Sequence, residues 1–324
     1  MDDKVLQVHN LKKYYTISKS LSMQKPVVKA VDGISLSIGR EEVYGMVGES
    51  GCGKSTFGRT ILRLDQPTSG NIILNGRDIT TMKETELRKY RKNMQMIFQD
   101  PYTSLNPRKK IGEILDEVLE IHGMTDRTQR MDLTLQIMEK VGLRAEHYYR
   151  YPHEFSGGQR QRVGIARALI LNPDFIVCDE PVSALDVSIQ SQVINLLLDL
   201  KEERKLTYLF IAHDLSVVSY ISDRIGVMYL GQLVEEADTK TLFSQPLHPY
   251  TQALISAVPE IDAQDRRQRI ILNGSLPSPL DPPAGCPFHT RCPHAKPFCS
   301  TLRPKLQEIA PGHKVKCFLY GDAN

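Results

Sequence analysis

The stretch GESGCGKST at residues 48–56 constrains the fold more than any other part of this chain. It fits a glycine, four free positions, then Gly-Lys-Ser/Thr. The apolar run EVYGMV at 42–47 precedes it and reads as a buried strand, and a helix is expected from about Lys54 to Leu64. Strand, glycine-rich turn and helix in that order make a phosphate-binding loop, the Walker A pattern. Small residues let successive backbone N–H groups close round an anion, and the positive end of the helix faces the same point. Lys54 can then reach the β- and γ-phosphates, and the Ser55 hydroxyl can ligate Mg²⁺. Gly48, Ser50, Gly51, Cys52, Gly53 and Thr56 complete the candidate loop. The bland alternative is a chance turn. FIVCDE at 175–180 weighs against it, because it is an apolar strand ending on an acidic pair. Asp179 is placed to hold Mg²⁺ and Glu180 to polarise an attacking water. On its own such a pair would read as a helix cap.

The rest of the chain is organised around these motifs. VLQVHNL, KAVDGISLSI and NIILNG in the first seventy-five residues are short β-rich segments separated by turn residues. Residues 84–93 read as a charged, exposed helix. From about 105 to 172 apolar residues recur at helical spacing in IGEILDEVLEIHGM, in RMDLTLQIMEKVGL and after SGGQ, which predicts a helical insert. FIVCDE and TYLFIAHD return to buried-strand character, with the amphipathic VSIQSQVINLLLDLKEERK between them. Alternation of this kind predicts an α/β fold with a largely parallel sheet covered on both faces.

FSGGQRQR at 155–162 resembles the signature motif of ABC-type ATPases, with Phe155 where leucine is commonest. The Walker A loop, the glutamine of MIFQDP, SGGQ, FIVCDE, SALD and FIAHD follow one another in the order and spacing of that family. The resemblance implies a P-loop NTPase fold: a mixed, mainly parallel core sheet, an antiparallel β subdomain and an α-helical subdomain at about 100–172. It assigns roles position by position. Gln99 is similar to the glutamine that touches Mg²⁺ and water and senses the membrane partner. Ser156, Gly157, Gly158 and Gln159 resemble the segment that binds the γ-phosphate of ATP held by an opposite subunit. Asp186 resembles the aspartate at the dimer seam. His213 resembles the switch histidine that orients Glu180. Tyr15 occupies the place of the aromatic residue that stacks on adenine, with Tyr14 beside it as the alternative. The implied activity is ATP hydrolysis, with Glu180, His213, Lys54 and Gln99 as the catalytic set.

Composition changes after about Pro246, where prolines gather and SLPSPLDPPAG reads as an extended linker. LHPYTQALISAVP and GSLPSPLDPPAGCPFHTRCP resemble the C-terminal extension of oligopeptide and dipeptide importer ATPases. The chain is accordingly divided into a nucleotide-binding domain at 1–245 and an extension at 246–324. Membership implies a second ATPase subunit, usually a different chain, two integral membrane permease subunits and an extracytoplasmic peptide-binding protein. It places the chain on the cytoplasmic face of the membrane. Importers of nickel or glutathione are close relatives. No apolar run approaches the roughly 20 residues that span a bilayer, and no signal peptide is visible. A net charge of +3 without a basic stripe argues against nucleic acid. Arg266, Arg267 and Arg269 read as a solvated face.

Four of the six cysteines, Cys286, Cys292, Cys299 and Cys317, lie in this tail with spacing C-x5-C-x6-C-x17-C. A structural zinc site usually has one pair two to four residues apart, and this spacing has none. Four thiolates on an irregular loop also suit a [4Fe–4S] cluster, and the resemblance supports that reading. His289, His294 and His313 keep zinc as an alternative, and reduced structural cysteines are a third. In the cluster reading the group staples a tail that lacks its own core. Two rival functions fit less well. Soluble ABC proteins of translation or DNA repair usually carry two ATPase domains or a coiled-coil insert. A regulatory subunit with a dead site would not need Lys54, Asp179, Glu180 and His213 together.

Overall fold

The computed structural model describes residues 3–17, 26–100, 104–258, 269–272 and 274–321. Pro101 of MIFQDP and Arg266 and Arg267 of the short basic run lie outside the described residues. Strands β1 (Lys4–Thr16), β2 (Val27–Gly39), β4 (Ser69–Leu74) and β5 (Arg77–Asp78) form an antiparallel sheet in the order β2-β1-β4-β5. This is the antiparallel subdomain that the family resemblance implied, built from the short strands read at the start of the chain.

The larger sheet holds β3 (Val43–Val47), β6 (Met94–Ile97), β7 (Phe175–Asp179), β8 (Thr207–Ile211), β9 (Arg224–Tyr229) and β10 (Gln232–Asp238). It is completed by β11 (Gln307–Ala310) and β12 (His313–Val315). Its order is β11-β12-β10-β9-β3-β8-β7-β6, parallel from β9 to β6 and antiparallel beyond β9. Successive residues of a strand point to opposite faces. Thus Val43 and Val47, Ile176 and Cys178, and Tyr208 and Phe210 enter one core, while Tyr44 and Met46, Phe175 and Val177, and Leu209 and Ile211 enter the other. Every residue of β3, β7 and β8 is buried, which is why these strands read as unbroken apolar runs.

Between β6 and β7 the chain forms the helical insert, with helices Ile111–Ile121, Arg127–Lys140 and Gly157–Leu169. The Asp116 carboxylate joins two of its parts, accepting the Thr134 hydroxyl at 2.6 Å and the Tyr148 hydroxyl at 2.6 Å. Phe155 is buried in the main core and meets His147 edge-on at 5.1 Å between ring centres. The position asks for a large apolar group, so phenylalanine serves where leucine is commonest.

SLPSPLDPPAG at 275–285 forms neither helix nor strand, but the tail around it does not lack a core. Pro249 opens a helix, Pro249–Ser256, where a missing N–H has no intrahelical partner to lose. His248 caps it, its Nδ1 accepting the Tyr250 N–H at 3.0 Å. β12 then pairs with β10, Val315 opposite Glu235. Glu235 is wholly buried yet well partnered. It accepts the N–H groups of Leu247 (2.7 Å) and His248 (2.8 Å) and faces His313 Nε2 at 2.8 Å. Phe288 is buried among Tyr229, Tyr250 and His248. Removing a side chain of that size from water contributes about 2–3 kcal/mol. The tail therefore shares the main core and extends the main sheet.

Candidate functional site

The loop after β3 owes its shape to two glycines. A Cβ on Gly48 would stand 2.2 Å from the Met228 carbonyl oxygen, and one on Gly53 2.0 Å from that of Ala30. Gly53 has φ 106°, a conformation that side chains resist. It sits at the N-cap of helix Lys54–Ile61 and offers no capping side chain, and no acid lies in the first turn. The N–H groups of that helix end stay open toward the loop, as an anion site requires.

Four neighbouring parallel strands end at this loop. β3 delivers Lys54 and Ser55, β6 delivers Gln99, β7 delivers Asp179 and Glu180, and β8 delivers His213. Ligand sites of α/β sheets sit at this carboxyl edge. Lys54 is buried, and its ammonium donates to the carbonyls of Gly48 (2.7 Å) and Glu49 (3.1 Å). The Ser55 hydroxyl donates to Asp179 at 2.8 Å. Burial pushes the Asp179 carboxyl upward, with the Ser55 hydrogen bond opposing, Glu180 reinforcing and Lys54 opposing. The Gln99 amide donates to Glu180 Oε2 at 2.9 Å, and His213 Nδ1 lies 3.2 Å from the same oxygen. Glu180 has φ 45°, strained for a residue with a Cβ, and its N–H is tied to Ile211 at the end of β8 (2.9 Å). Such strain gathers where function fixes a side chain.

Lys54, Ser55, Gln99, Glu180 and His213 line one open cleft of about 580 Å³, together with Ser50, Gly51, Cys52, Gly53 and Thr56, while Asp179 lies buried behind Ser55. Tyr15 lines it and Tyr14 does not: Tyr14 turns to Asp32, while Tyr15 stands over the loop with Lys13 4.6 Å from its ring centre. Val28, Ala30 and Gly231 line the cleft through segments that the sequence did not mark. Lys29, Leu230 and Pro279 also line the cleft, and no motif marks them.

Ser156, Gly157, Gly158, Gln159 and Asp186 stand apart from this cleft. Ser156 and Gln159 close a capping box, Gln159 N–H to Ser156 Oγ at 3.3 Å and Ser156 N–H to Gln159 Oε1 at 3.0 Å. Gly158 is packed so tightly that a Cβ would fall 2.6 Å from Ile189, three residues beyond the exposed Asp186. The signature segment and Asp186 thus share one surface while the phosphate loop lies on another.

Cys286, Cys292, Cys299 and Cys317 line a second, mostly apolar cavity, with His248, His289 and His294 at its wall. All four thiols are free and partly buried. Burial pushes the Cys286 thiol up to about 11 and raises those of Cys292 and Cys317, with the neighbouring cysteines adding to each shift. Among the described residues, no three His, Cys, Asp or Glu side chains stand close enough to hold a single metal ion. His313 is committed to Glu235 instead. The zinc alternative therefore finds no ligand set in this arrangement, whose sulfurs surround a cavity rather than a point.

The fold and cleft define a P-loop nucleotide-binding protein. Comparison with known proteins narrows this. The family model for ABC transporters matches residues 31–183, and that for the oligopeptide/dipeptide transporter C-terminal region matches 234–299. The oligopeptide transport ATP-binding protein AppF of Bacillus subtilis is 55% identical, covering 98% of this chain and 97% of its own. The dipeptide transport ATP-binding protein DppF of Escherichia coli is 49% identical, covering 97% and 94%. Among solved structures, the dimeric cassette MJ0796 bound to ADP and Pi superposes with a TM-score of 0.65 at 28% identity, over 72% of this chain and 98% of that one. CbiO1 of Clostridium perfringens, part of a transporter complex, gives 0.64 at 25% identity, over 75% and 92%. The chain belongs to the ABC transporter family, as one of its ATP-hydrolysing subunits. Among the described residues no helix is long and apolar enough to cross a membrane.

Proposed function

We propose that this chain is the ATP-driven motor subunit of a membrane importer of di- and oligopeptides. The names of its relatives and the matching C-terminal region support the cargo class. The observation that carries the catalytic reading is the convergence of Gln99 and His213 on one oxygen of Glu180. Two partners hold Oε2, so the carboxylate is fixed in rotation and Oε1 takes the proton of the attacking water. Ser55, Asp179 and Gln99 would hold Mg²⁺, which neutralises phosphate charge when bound. Lys54 exchanges its two loop carbonyls for phosphate oxygens. Tyr15 supports the base. Glu180→Gln in the assembled complex tests the reading; near-normal ATP turnover would refute it.

Ser156 to Gln159 and Asp186 serve the cleft of a second ATPase chain, because they cannot reach their own. Two permease subunits and an external peptide-binding protein complete the assembly, with this chain at the cytoplasmic face. A groove of about 190 Å³ beside Gln99, lined by Leu62, Leu64, Met96, Phe98 and Val118, suits an apolar permease segment. Leu64→Asp should then sharply reduce co-purification with the membrane subunits. Residues 1–245 act as the nucleotide-binding domain and 246–324 as its extension.

The four cysteines fit a [4Fe–4S] cluster in donor number and type. A cluster neutralises thiolates that an apolar cavity would otherwise disfavour, and it matches four sulfurs arranged around a space. Its role would be structural. Iron and sulfide assays on anaerobically purified protein decide; stoichiometric zinc without visible absorption would sink the idea.

A further inference from the structure

Glu49 of the phosphate loop does not line the cleft, and its side chain turns to the tail instead. The tail holds it at two points. The Arg291 guanidinium grips its carboxylate with both arms, Nη1 to Oε2 at 2.8 Å and Nη2 to Oε1 at 3.0 Å. The Tyr250 hydroxyl accepts its backbone N–H at 2.8 Å. Arg291 is 8% exposed and Tyr250 fully buried. A forked pair of this kind fixes geometry as well as charge. The carbonyl of Glu49 is meanwhile one of the two that receive Lys54. The loop's first turn is thus positioned from outside by residues 201 and 242 places further along the chain.

We propose that Arg291 and Tyr250 are positioning residues of the phosphate loop, so that the C-terminal extension sets the affinity for nucleotide. The inference rests on reading the cleft as the ATP site. Backbone N–H groups bind an anion well only when they are aimed before it arrives. Without Arg291, the Glu49 carboxylate is left half-buried without its partner, and the turn that carries it is no longer held. Without the Tyr250 hydroxyl, the first N–H of the turn loses its anchor. The same clamp joins the ATP site to the cysteine cavity. Phe288, three residues before Arg291, lines that cavity and packs on Tyr250 at 5.5 Å between ring centres.

The test uses the full chain in its assembled complex. MgATP dissociation constants, KM and kcat are measured for the unaltered protein and for Arg291→Ala, Arg291→Lys, Glu49→Gln and Tyr250→Phe. Arg291→Ala should weaken MgATP about tenfold, with KM rising far more than kcat falls. Arg291→Lys should recover only part of the loss, because it restores charge without the fork. Arg291→Ala combined with Glu49→Gln should be no worse than the poorer single variant. Unchanged affinity in Arg291→Ala, with only its melting temperature lowered, overturns the proposal, and so does full additivity in the double variant. If Arg291→Ala does not accumulate folded, Tyr250→Phe decides alone: weaker MgATP binding supports the clamp and unchanged binding ends it. Failure of the unaltered complex to bind MgATP would instead overturn the nucleotide reading, which separates the two outcomes.

Discussion

The reactive groups of the nucleotide cleft follow the ends of four adjacent strands, whereas Cys286 and Cys292 lie on irregular chain, Cys299 in the short 3-10 helix Pro297–Ser300 and Cys317 just after β12. The cleft is open and charged, and its side chains are held by buried strands of the main sheet. The cavity is smaller and mostly apolar, and most of its wall comes from a segment with little regular structure. A site hung on a sheet should lose chemistry before stability when altered. A site that helps hold its own walls should lose stability first.

The largest expected effect falls on the cleft. Glu180→Gln should lower ATP turnover by a factor on the order of 10²–10⁴ while nucleotide binding and melting temperature stay near those of the unaltered protein. A large drop in melting temperature would break the contrast. Next comes Gly53→Ala, whose Cβ would meet the Ala30 carbonyl. Nucleotide binding should be abolished, as read by equilibrium binding of a fluorescent ATP analogue.

On the other side of the comparison, Cys286→Ser should release iron, measured by visible absorption. It should lower the melting temperature by roughly 5 °C or more. Full ATPase activity and unchanged stability would show that the cavity needs no occupant. A pH test sharpens the same point. Burial holds His248 neutral, its pKa pushed down to about 3, while the unfolded chain takes up that proton near pH 6.5. The contribution is therefore complete above about pH 6.5 and is lost as pH falls toward 3, about 2 kcal/mol by pH 5. His248→Asn keeps a capping acceptor and should flatten the melting-temperature slope between pH 7 and 5. The smallest effect expected is on Tyr15→Ala, about fivefold weaker ATP binding, or about 1 kcal/mol.

What the sequence made legible follows the same division. Lys54, Ser55, Asp179, Glu180, Gln99 and His213 sit at strand ends, and a strand end is visible locally as an apolar run that stops. Their convergence was therefore readable once the strands were. Tyr15 and Tyr14 could not be separated, because the choice depends on which ring Asp32 claims on a neighbouring strand. The tail was the harder part. SLPSPLDPPAG was legible as irregular chain, whereas the helix that Pro249 starts was not, since proline favours both states. Lys29, Leu230 and Pro279 reach the cleft through chain crossings that carry no pattern. The grip of Arg291 on Glu49 spans 242 residues and joins two segments that each look complete alone.

The pairing of β12 with β10 bears on how the protein is made. Synthesis delivers the nucleotide-binding motifs long before residues 307–315 emerge, so a nascent chain can assemble the parallel strands while β10 still lacks its outer neighbour. During that interval an unpaired strand edge is on display, together with Glu235, a carboxylate built for burial beside His313. A chain that stalls there would carry the ATP motifs on an adhesive rim. The last strand pair can cover that edge only on chains translated past it.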